Sequence, residues 1–338
     1  MKKTLKEFQE FYKNDLIPIL NTLDLERKSV KKQNFFSMIL LILIVISTII
    51  IAVLINKAIY NVYFDENSAN IPLIIMIVLI IIEIVMMLSR MHKKKVNFII
   101  DYKSKVITPI VHFLEPSLKY SYSDSISLNS FLNSKLFLLS VDRFKGEDYI
   151  SGKIDKTDFA FSEVKAEHKT ESTNEDGRTK ESWTVIFKGL FFKADFNKNF
   201  KGEYFVLPDF AEKKFGQLGN FFQKLSKQRG ELIKLEDIEF EKEFVVYGSD
   251  QIEARYILSS SIMSRILEFK KKSGKKISIS FVDSNIYIAI PYDEDIFKPR
   301  YYRTVVNEKA TTEYYNVLDL VINIIEDLNL NTRIWSKE

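Results

Sequence analysis

The chain has 338 residues, and its 49 Lys/Arg against 45 Asp/Glu give a formal net charge of +4. Its length suits one large domain or two ordinary ones, and its zero cysteines exclude a disulfide framework and thiol chemistry. Residues 1–34 carry eight Lys/Arg against five Asp/Glu, and residues 35–95 carry five against three, which leaves residues 96–338 at −1. That last region lacks the basic excess that neutralises a phosphate backbone, so we expect no nucleic acid partner.

Residues 1–34 are predicted to form a cytoplasmic amphipathic helix, the first part of a stalk. Apolar residues recur at helical spacing from Leu5 to Lys32, interrupted only by Pro18. The uncharged run Phe35–Ile55 follows, and as a helix it is about 30 Å long, the thickness of a bilayer's hydrocarbon core. The alternative is a soluble core helix, but such a helix normally shows a polar stripe. We therefore predict transmembrane helix 1 over residues 35–55, as a permanent anchor rather than a cleaved signal peptide.

A second apolar run, Ile71–Leu88, predicts transmembrane helix 2, and its single charge is Glu83. Glu83 lies about 8 Å from the cytoplasmic end of this run at helical rise. Its carboxylate is either tolerated near a helix end or makes a polar contact inside a homo-oligomer. A transporter or channel function is weakly supported, because two spans form a pore only by oligomerising.

Basic residues predict the orientation of the two spans. Four basic residues precede the first span and four follow the second, whereas the intervening loop over residues 56–70 has one lysine against two acids. The flanking residues are Arg27, Lys28, Lys31, Lys32, Arg90, Lys93, Lys94 and Lys95, and those of the loop are Lys57, Asp65 and Glu66. Positive residues stay on the cytoplasmic side. Both termini are therefore expected in the cytoplasm, with residues 56–70 as a short external loop in contact with the outer face of the lipid bilayer.

Residues 89–116 are predicted to form a basic flank and a second stalk helix. Pro18 in the first stem and Pro109 in the second both lie roughly 25–30 Å below the membrane at helical rise. The two stems are expected to pair as one antiparallel stalk, and the alternative is two separate surface helices.

Residues 117–338 are predicted to form a cytoplasmic α+β domain, because hairpins are many and crossovers few. A Ser-rich linker ends in an N-cap for a short helix at Leu128–Phe137. Further helices are predicted at Phe210–Lys227, from Gln251 through Lys271 and at Tyr314–Leu328. The predicted strands are Asp148–Ile154, Phe159–Glu167, Trp183–Phe196, Tyr204–Leu207, Leu232–Leu235, Phe244–Tyr247, Ile277–Val282 and Ile286–Pro291.

Two local patterns give sharper predictions. The polar segment at 168–182, with Asp-Gly near its middle, is typical of a long exposed hairpin tip. Asp250 is expected to cap the helix from Gln251, with Glu253 at capping-box spacing.

The stretch Phe187–Gly202 interleaves aromatic and basic residues, which raises the question of an RNA-binding strand. Lys188, Gly189 and Phe192 match the RRM pattern, whereas Leu190, Phe191 and Lys193 do not. Strand alternation makes both faces apolar, with Gly189 permitting a bulge or a close approach: Trp183, Val185, Phe187, Gly189 and Phe191 on one face, Ile186, Leu190, Phe192, Ala194 and Phe196 on the other. We therefore predict a central core strand.

No catalytic, cofactor-binding or metal residues are predicted. His92, His112 and His168 lie in the basic flank, the stalk and the hairpin tip, and zinc spacings are absent. The run from Ser273 to Lys276 lacks the upstream glycine of a phosphate loop, and no nucleophile elbow occurs. An acid–base pair among the many carboxylates stays open.

Several phrases in the chain form a recognisable set: FYKNDLIPIL, GEDYISGKID, FSEVKAEH, FKGLFFKADFNKNFKG, VLPD, LEDIEFEKEFVVYGSDQIEARYILS and ISISFVDSNIYIAIP. Together with the two apolar runs, they resemble the bacterial membrane-protein family of domain of unknown function 3137. The resemblance covers nearly the whole chain and is most specific from Leu235 to Leu258. It implies a two-span protein of the bacterial inner membrane, with a LemA-type membrane protein as a candidate partner and with no established activity to carry over.

Two functions from different classes remain open. The first is a non-enzymatic, membrane-anchored module whose cytoplasmic domain binds or scaffolds another protein. The second is a membrane-tethered enzyme or ligand sensor with an unrecognised site. A deep pocket that joins carboxylates to Arg255 or Arg300 would favour the second, and a broad exposed apolar patch the first.

Overall fold

A computed structural model describes residues 3–63, 71–154, 156–173, 179–196, 198–209 and 229–328. The chain divides into two compact units. The helical unit consists of residues 5–106 and 298–308, and the sheet unit consists of residues 1–4, 107–297 and 309–338.

Two long antiparallel helices form most of the helical unit. Helix α1 covers Leu5–Phe11, α2 covers Ile17–Tyr63 and α3 covers Ile71–Tyr102. The Lys94 Nζ donates to Gln33 Oε1 at 2.9 Å, and the Lys105 Nζ lies 3.9 Å from Glu26 Oε1. The two stems therefore pair as predicted. Helix α2 also continues beyond Ile55, the predicted end of the first span.

A π-helical segment precedes each of the two stem prolines. Tyr12–Leu16 lies just before Pro18, and Lys103–Ile107 lies just before Pro109, where helix α4 (Thr108–Leu114) begins. A proline has no N–H to donate, and its ring clashes with the carbonyl four residues earlier. Because a π-helical turn is wider, it accommodates the proline without ending the helix.

The described part of the sheet unit contains one antiparallel sheet of nine strands in the order β1-β2-β3-β4-β9-β8-β5-β7-β6. This arrangement confirms the predicted α+β class. Its strands are β1 Lys119–Ser121, β2 Arg143–Ile154, β3 Thr157–Thr173, β4 Thr179–Asp195, β5 Tyr204–Pro208, β6 Glu231–Ile233, β7 Phe244–Gly248, β8 Ser278–Val282 and β9 Asn285–Pro291. Its helices are α5 Leu128–Asn133, α6 Ile238–Glu243, α7 Gln251–Ile257, α8 Ser260–Ser273, α9 Glu308–Ile322, which starts at the junction with the helical unit, and α10 Ile324–Asp327.

Both faces of the sheet centre are buried. Phe191 and Phe192 are neighbours on β4, point to opposite faces and have no exposed surface. Phe191 belongs to a cluster with Phe131, Phe187 and Phe205, and Phe192 pairs across the strands with Phe161 and Ile288. The prediction of a central core strand is confirmed, since an RNA-binding platform would expose the rings of one face.

A β-bulge in β4 overturns one detail of that prediction. Ala166 lies opposite Phe187, but the next residue, Glu167, lies opposite Val185, so Ile186 is an inserted residue. Trp183 and Val185 therefore face the side opposite to Phe187 and are exposed. The alternation of residue types cannot reveal an insertion of this kind. Gly189 makes the other predicted feature, a close approach, because an added Cβ would lie 2.1 Å from the Ile290 carbonyl oxygen.

Several predicted elements differ from the structure. The polar segment after Glu167 was predicted to be an exposed hairpin tip, but β3 continues through it as far as Thr173. Its backbone stays paired with β4 although its side chains are polar or charged, and Thr173 lies opposite Thr179. Strand β1 and the extension of β2 back to Arg143 were not predicted. The helix predicted from Gln251 through Lys271 breaks between Ile257 and Ser260, where the ψ angles of Leu258 and Ser259 are 60° and 158°. The predicted helix at Phe210–Lys227 lies outside the described residues.

Candidate interaction surfaces

The residues considered as candidate sites lie on different elements of the structure. His168 lies in β3 rather than in a turn, with its Nδ1 2.9 Å from Asp142 Oδ2. Arg255 lies at the surface with a guanidinium nitrogen 4.0 Å from an exposed Glu236 carboxylate, and Arg300 is exposed. Neither arginine lies in a buried group of carboxylates among the described residues. Glu83 has one shielded carboxylate oxygen without a hydrogen-bond partner in the described part of α3 and its neighbours, so its role stays open.

Three carboxylates that the sequence did not associate come together on β2 and β3. Glu147, Asp148 and Glu163 each place an oxygen within 4.8 Å of the others. The Tyr120 hydroxyl donates to Asp148 at 2.5 Å, and the Glu163 Oε1 accepts the backbone N–H groups of Ile296 and Phe297, both at 2.9 Å. Burial and the neighbouring carboxylates raise the pKa of the Tyr120 hydroxyl well above its usual range. These bonds give the group a structural role at the β2 bulge, where Asp148 has a φ of 60°.

Glu253 performs a different task from the one its capping-box spacing predicts. Asp250 does cap α7, accepting from the Ile252 and Glu253 backbone N–H groups at 2.9 and 2.7 Å. The Glu253 carboxylate instead accepts from the Lys201 and Gly202 N–H groups and from the Tyr204 hydroxyl, at 3.0, 2.8 and 2.7 Å. Burial alone would raise the pKa of Glu253, but these donors outweigh it and hold the pKa below its usual range. Glu253 thus fastens the start of β5 to α7.

Arg229 is a buried cation in the sheet unit. One guanidinium nitrogen donates to the Leu136 carbonyl oxygen, and the group lies 5.4 Å from the centroid of the Phe205 ring. Its Nε has no hydrogen-bond partner among the described residues. Burial lowers the pKa of the guanidinium to about 10, so it remains charged at neutral pH. Among the residues that the structure describes, no carboxylate pairs with this buried charge; because an unpaired buried charge is costly, the group is a candidate for binding an anion.

Three apolar side chains in and near edge strand β6 are exposed to solvent. Leu232 is 52 % exposed, Ile238 71 % and Ile252 80 %. The Gln251 side chain joins α7 to the chain after β6, because its Oε1 accepts from the Lys234 N–H at 3.3 Å and its Nε2 donates to the Lys234 carbonyl at 2.7 Å. We call Leu232, Ile238 and Ile252, with the segment 231–253 that carries them, the 231–253 surface.

The 231–253 surface is strongly acidic. The segment contains eight Asp/Glu and two Lys, giving a formal charge of −6. Some of these carboxylates are engaged locally: Asp237 caps α6 through two N–H groups at 3.0 Å, and Glu241 accepts the Leu235 N–H at 2.8 Å. Glu236 and Glu243 face cations from outside the segment, Arg255 and Lys270, but the other carboxylates leave an excess of formal negative charge near the exposed apolar side chains.

In the helical unit, a buried ion pair clamps the segment 298–308. Asp24 and Arg27 are each 5 % exposed, with the Arg27 Nε 2.9 Å from the Asp24 Oδ1. The same oxygen accepts the Val305 N–H at 3.2 Å, and an Arg27 Nη donates to the Tyr301 carbonyl at 3.3 Å. Burial would raise the pKa of Asp24, but hydrogen bonds from Arg27, Lys28 and Val305 outweigh it and hold the pKa well below its usual range.

The family comparison fits this architecture. The model of the family Protein of unknown function (DUF3137) matches residues 185–330, which include Leu235–Leu258, the most specific part of the resemblance. The predicted resemblance is therefore confirmed over residues 185–330. The family description assigns no activity. Searches of curated proteins and of solved structures gave no match. The chain also has two helices long and apolar enough to cross a membrane, at Leu5–Ile55 and Ile74–Leu114.

Proposed function

We propose that the chain is anchored in a membrane by α2 and α3 and that its sheet unit binds or scaffolds a partner protein in the cytoplasm. The anchoring rests on the apolar runs, whose side chains remain exposed on paired helices; Leu40 is 58 % and Leu79 54 % exposed. Exposure of so much apolar surface to water is unfavourable, whereas the hydrocarbon core of a bilayer buries it. The flanking basic residues favour the cytoplasmic side for the sheet unit, and the family resemblance makes a bacterial inner membrane the candidate membrane.

The 231–253 surface carries the protein-binding part of this proposal. Exposed Leu232, Ile238 and Ile252 offer apolar contacts, and the segment that carries them has a formal charge of −6. A complementary partner segment is therefore basic and carries apolar side chains, as an amphipathic cationic helix does. The family resemblance makes a LemA-type membrane protein one candidate for this partner.

Site-specific photo-crosslinking in native membranes tests the surface. A benzoylphenylalanine at Ile252 or Ile238 should crosslink to a basic segment of one partner, and Ile252→Glu in the Ile238-labelled protein should abolish that product. The same crosslinker at Tyr122, near the β1 edge, serves as the control. Equal crosslinking from Tyr122, or a captured segment that is acidic, would contradict the proposal.

Ligand sensing is the second candidate function, because buried Arg229 donates to a backbone carbonyl and leaves its Nε unpaired among the described residues. A phosphate or carboxylate would supply the missing anion. Inorganic phosphate should then raise the melting temperature of the full-length protein in detergent, and Arg229→Met should remove this effect. A phosphate effect that persists in Arg229→Met would rule out the site.

A further inference from the structure

The segment 298–303 reads Lys-Pro-Arg-Tyr-Tyr-Arg and carries three cations, no carboxylate and two tyrosines. Although it follows the strands of the sheet in sequence, it belongs to the helical unit. The Asp24–Arg27 pair holds its backbone at Tyr301 and Val305.

Tyr301 and Tyr302 lie beside the basic flanks of both apolar runs. The Lys95 Nζ is 5.5 Å from the Tyr301 ring centroid and 5.3 Å from that of Tyr302, and the Lys31 Nζ is 6.0 Å from Tyr302. The Tyr301 ring also packs edge-on against Phe98 at 5.7 Å. Tyr301 is thus fixed against the helices, whereas Tyr302 is 72 % exposed and Arg300 and Arg303 are exposed as well.

The contacts set the depth of the segment relative to the apolar runs. Lys31 is about 6 Å before Phe35 along the helix axis, and Lys95 is about 10 Å beyond Leu88. The polar headgroup layer extends roughly 5–8 Å beyond the hydrocarbon core on each side. Tyr302, which lies beside both lysines, is therefore at the water-facing edge of that layer if the runs span a bilayer.

Basic residues are concentrated in three segments of the helical unit, of which Arg27 and Lys28 are paired with Asp24. Segments 27–34, 89–100 and 298–303 contain eleven Lys/Arg and no Asp/Glu. Cations of this kind attract the anionic lipids of a cytoplasmic leaflet, and an exposed tyrosine such as Tyr302 favours the headgroup level. We call residues 298–303 with the flanking lysines of α2 and α3 the basic collar.

We infer that the basic collar binds the headgroups of anionic phospholipids, with Arg300, Tyr302 and Arg303 as its distal contacts. The inference rests on the proposed membrane anchoring and adds a specific lipid class to it. The segment would act as a third contact with the bilayer, supplied from the far end of the sequence and locked in place by Asp24 and Arg27.

A lipid titration tests the inference. Because the natural chain has no cysteine, Thr304→Cys gives a single attachment point for an environment-sensitive dye next to the exposed arginines. Short-chain phosphatidylglycerol is titrated into the labelled full-length protein in zwitterionic detergent, with short-chain phosphatidylcholine as the comparison. The dye should respond to phosphatidylglycerol at much lower concentration, and added salt should weaken the response.

Removing charge from the segment should weaken this binding. Arg300→Gln with Arg303→Gln should raise the apparent Kd for phosphatidylglycerol roughly 30-fold, since each cation near an anionic surface strengthens binding by roughly 5-fold. Lys271→Gln with Lys272→Gln, an equal charge change on exposed residues of α8, should leave the Kd unchanged. Tyr302→Ser should weaken binding less than the double arginine change.

Several outcomes would overturn the inference. Equal responses to the two lipids, or equal effects of the arginine and lysine pairs, would show that the collar does not select anionic headgroups. Competition by glycerol phosphate at the same concentration would assign the site to a free phosphate compound. Resistance of membrane association to carbonate extraction is measured in parallel. If lipid selection fails and the wild type still resists extraction, only the inference about the collar is wrong. If the wild type is extracted, the proposed anchoring is wrong as well.

Discussion

Asp24 is a buried carboxylate whose partners all lie within the helical unit. Its oxygens accept from Arg27, Lys28 and the Val305 N–H, so it links the first stem to residues that follow the sheet in sequence. Nothing in the local sequence around Asp24 indicates this role. An Asp with Arg and Lys three and four residues later is typical of an exposed helix pair, and only the folded chain buries it.

Replacing Asp24 with Ala should release the segment 298–308. The change leaves Arg27 buried without its carboxylate, at a cost of about 3–5 kcal/mol. A spin label at Thr304→Cys in the full-length protein should become mobile in this variant. Asp24→Leu with Arg27→Met should restore part of the order, because neither charge is then buried alone. Glu26→Ala is the control, since its exposed carboxylate is 3.9 Å from Lys105, and it should behave as wild type.

The same label gives a pH prediction. Because the folded state lowers the pKa of Asp24, this residue contributes stability that is present above about pH 4, its unfolded pKa, and is lost as the pH falls through the folded value. The label at position 304 should therefore be immobile at neutral pH and gain mobility only in strong acid. In Asp24→Ala its mobility should show no such acid transition, and a transition of wild-type size there would assign the effect to another group.

The two phenylalanines at the sheet centre make a second residue-scale prediction. Phe191→Ala and Phe192→Ala should each lower the free energy of unfolding by about 3–5 kcal/mol, since each leaves a cavity in a closed core. Lys193→Ala should be nearly silent. Denaturant unfolding of the full-length protein in detergent, followed by the sheet signal in circular dichroism, measures all of these. A phenylalanine variant as stable as the lysine one would contradict the burial of that ring.

The Lys188 ammonium group has partners in the segment after β9. Its Nζ donates to the Asp293 carbonyl at 2.7 Å and lies 3.1 Å from Asp295. Lys188→Ala should therefore cost on the order of 1 kcal/mol, between the phenylalanines and Lys193.

At the level of elements, the sequence predicted best where apolar spacing and local capping decide the structure. The strands around Phe192, the β8–β9 hairpin and the Asp250 cap all follow from short-range patterns. The sequence did not predict features that depend on backbone pairing or on contacts between residues far apart in the chain. The polar arm after Glu167 is strand because its backbone pairs with β4, and the bulge at Ile186 depends on register with β3. The 231–253 surface and the basic collar likewise require residues that only the fold brings together.

The broken helix of residues 251–273 offers a matched pair of caps. Asp250 accepts two N–H groups at the start of α7, whereas Ser259 occupies the N-cap of α8 without a side-chain hydrogen bond. Asp250→Ala should therefore lower the free energy of unfolding by about 1 kcal/mol, and Ser259→Ala by only a few tenths. Denaturant unfolding of the full-length protein compares them. Equal losses would mean that the Asp250 bonds contribute nothing beyond its N-cap position.

At the scale of the whole molecule, the proposed anchoring would place the two stems on the same side of a membrane, because two spanning helices joined by residues 64–70 return the chain to the side from which it entered. Their pairing supports this, because Lys94 bonds to Gln33 and Lys105 lies beside Glu26 below both apolar runs. The basic collar adds charge on that same side from residues 298–303. Three separate segments thus favour the same orientation, whereas residues 56–70, which include the end of α2, carry one lysine against two acids.

Both termini are accordingly predicted to be cytoplasmic. Reporter fusions at Lys3 and after Glu338 should each report cytoplasm, and an insertion between Asn67 and Asn70 should report the opposite side. Replacing Lys93, Lys94 and Lys95 with Gln should weaken this bias by removing charge next to the second span, while Lys271→Gln with Lys272→Gln should not. A non-cytoplasmic signal at either terminus of the wild type would overturn the topology. The paired stems and the basic collar lie on the same side of the apolar runs. A non-cytoplasmic signal would therefore also mean that the lipid bound by the collar does not come from the cytoplasmic leaflet.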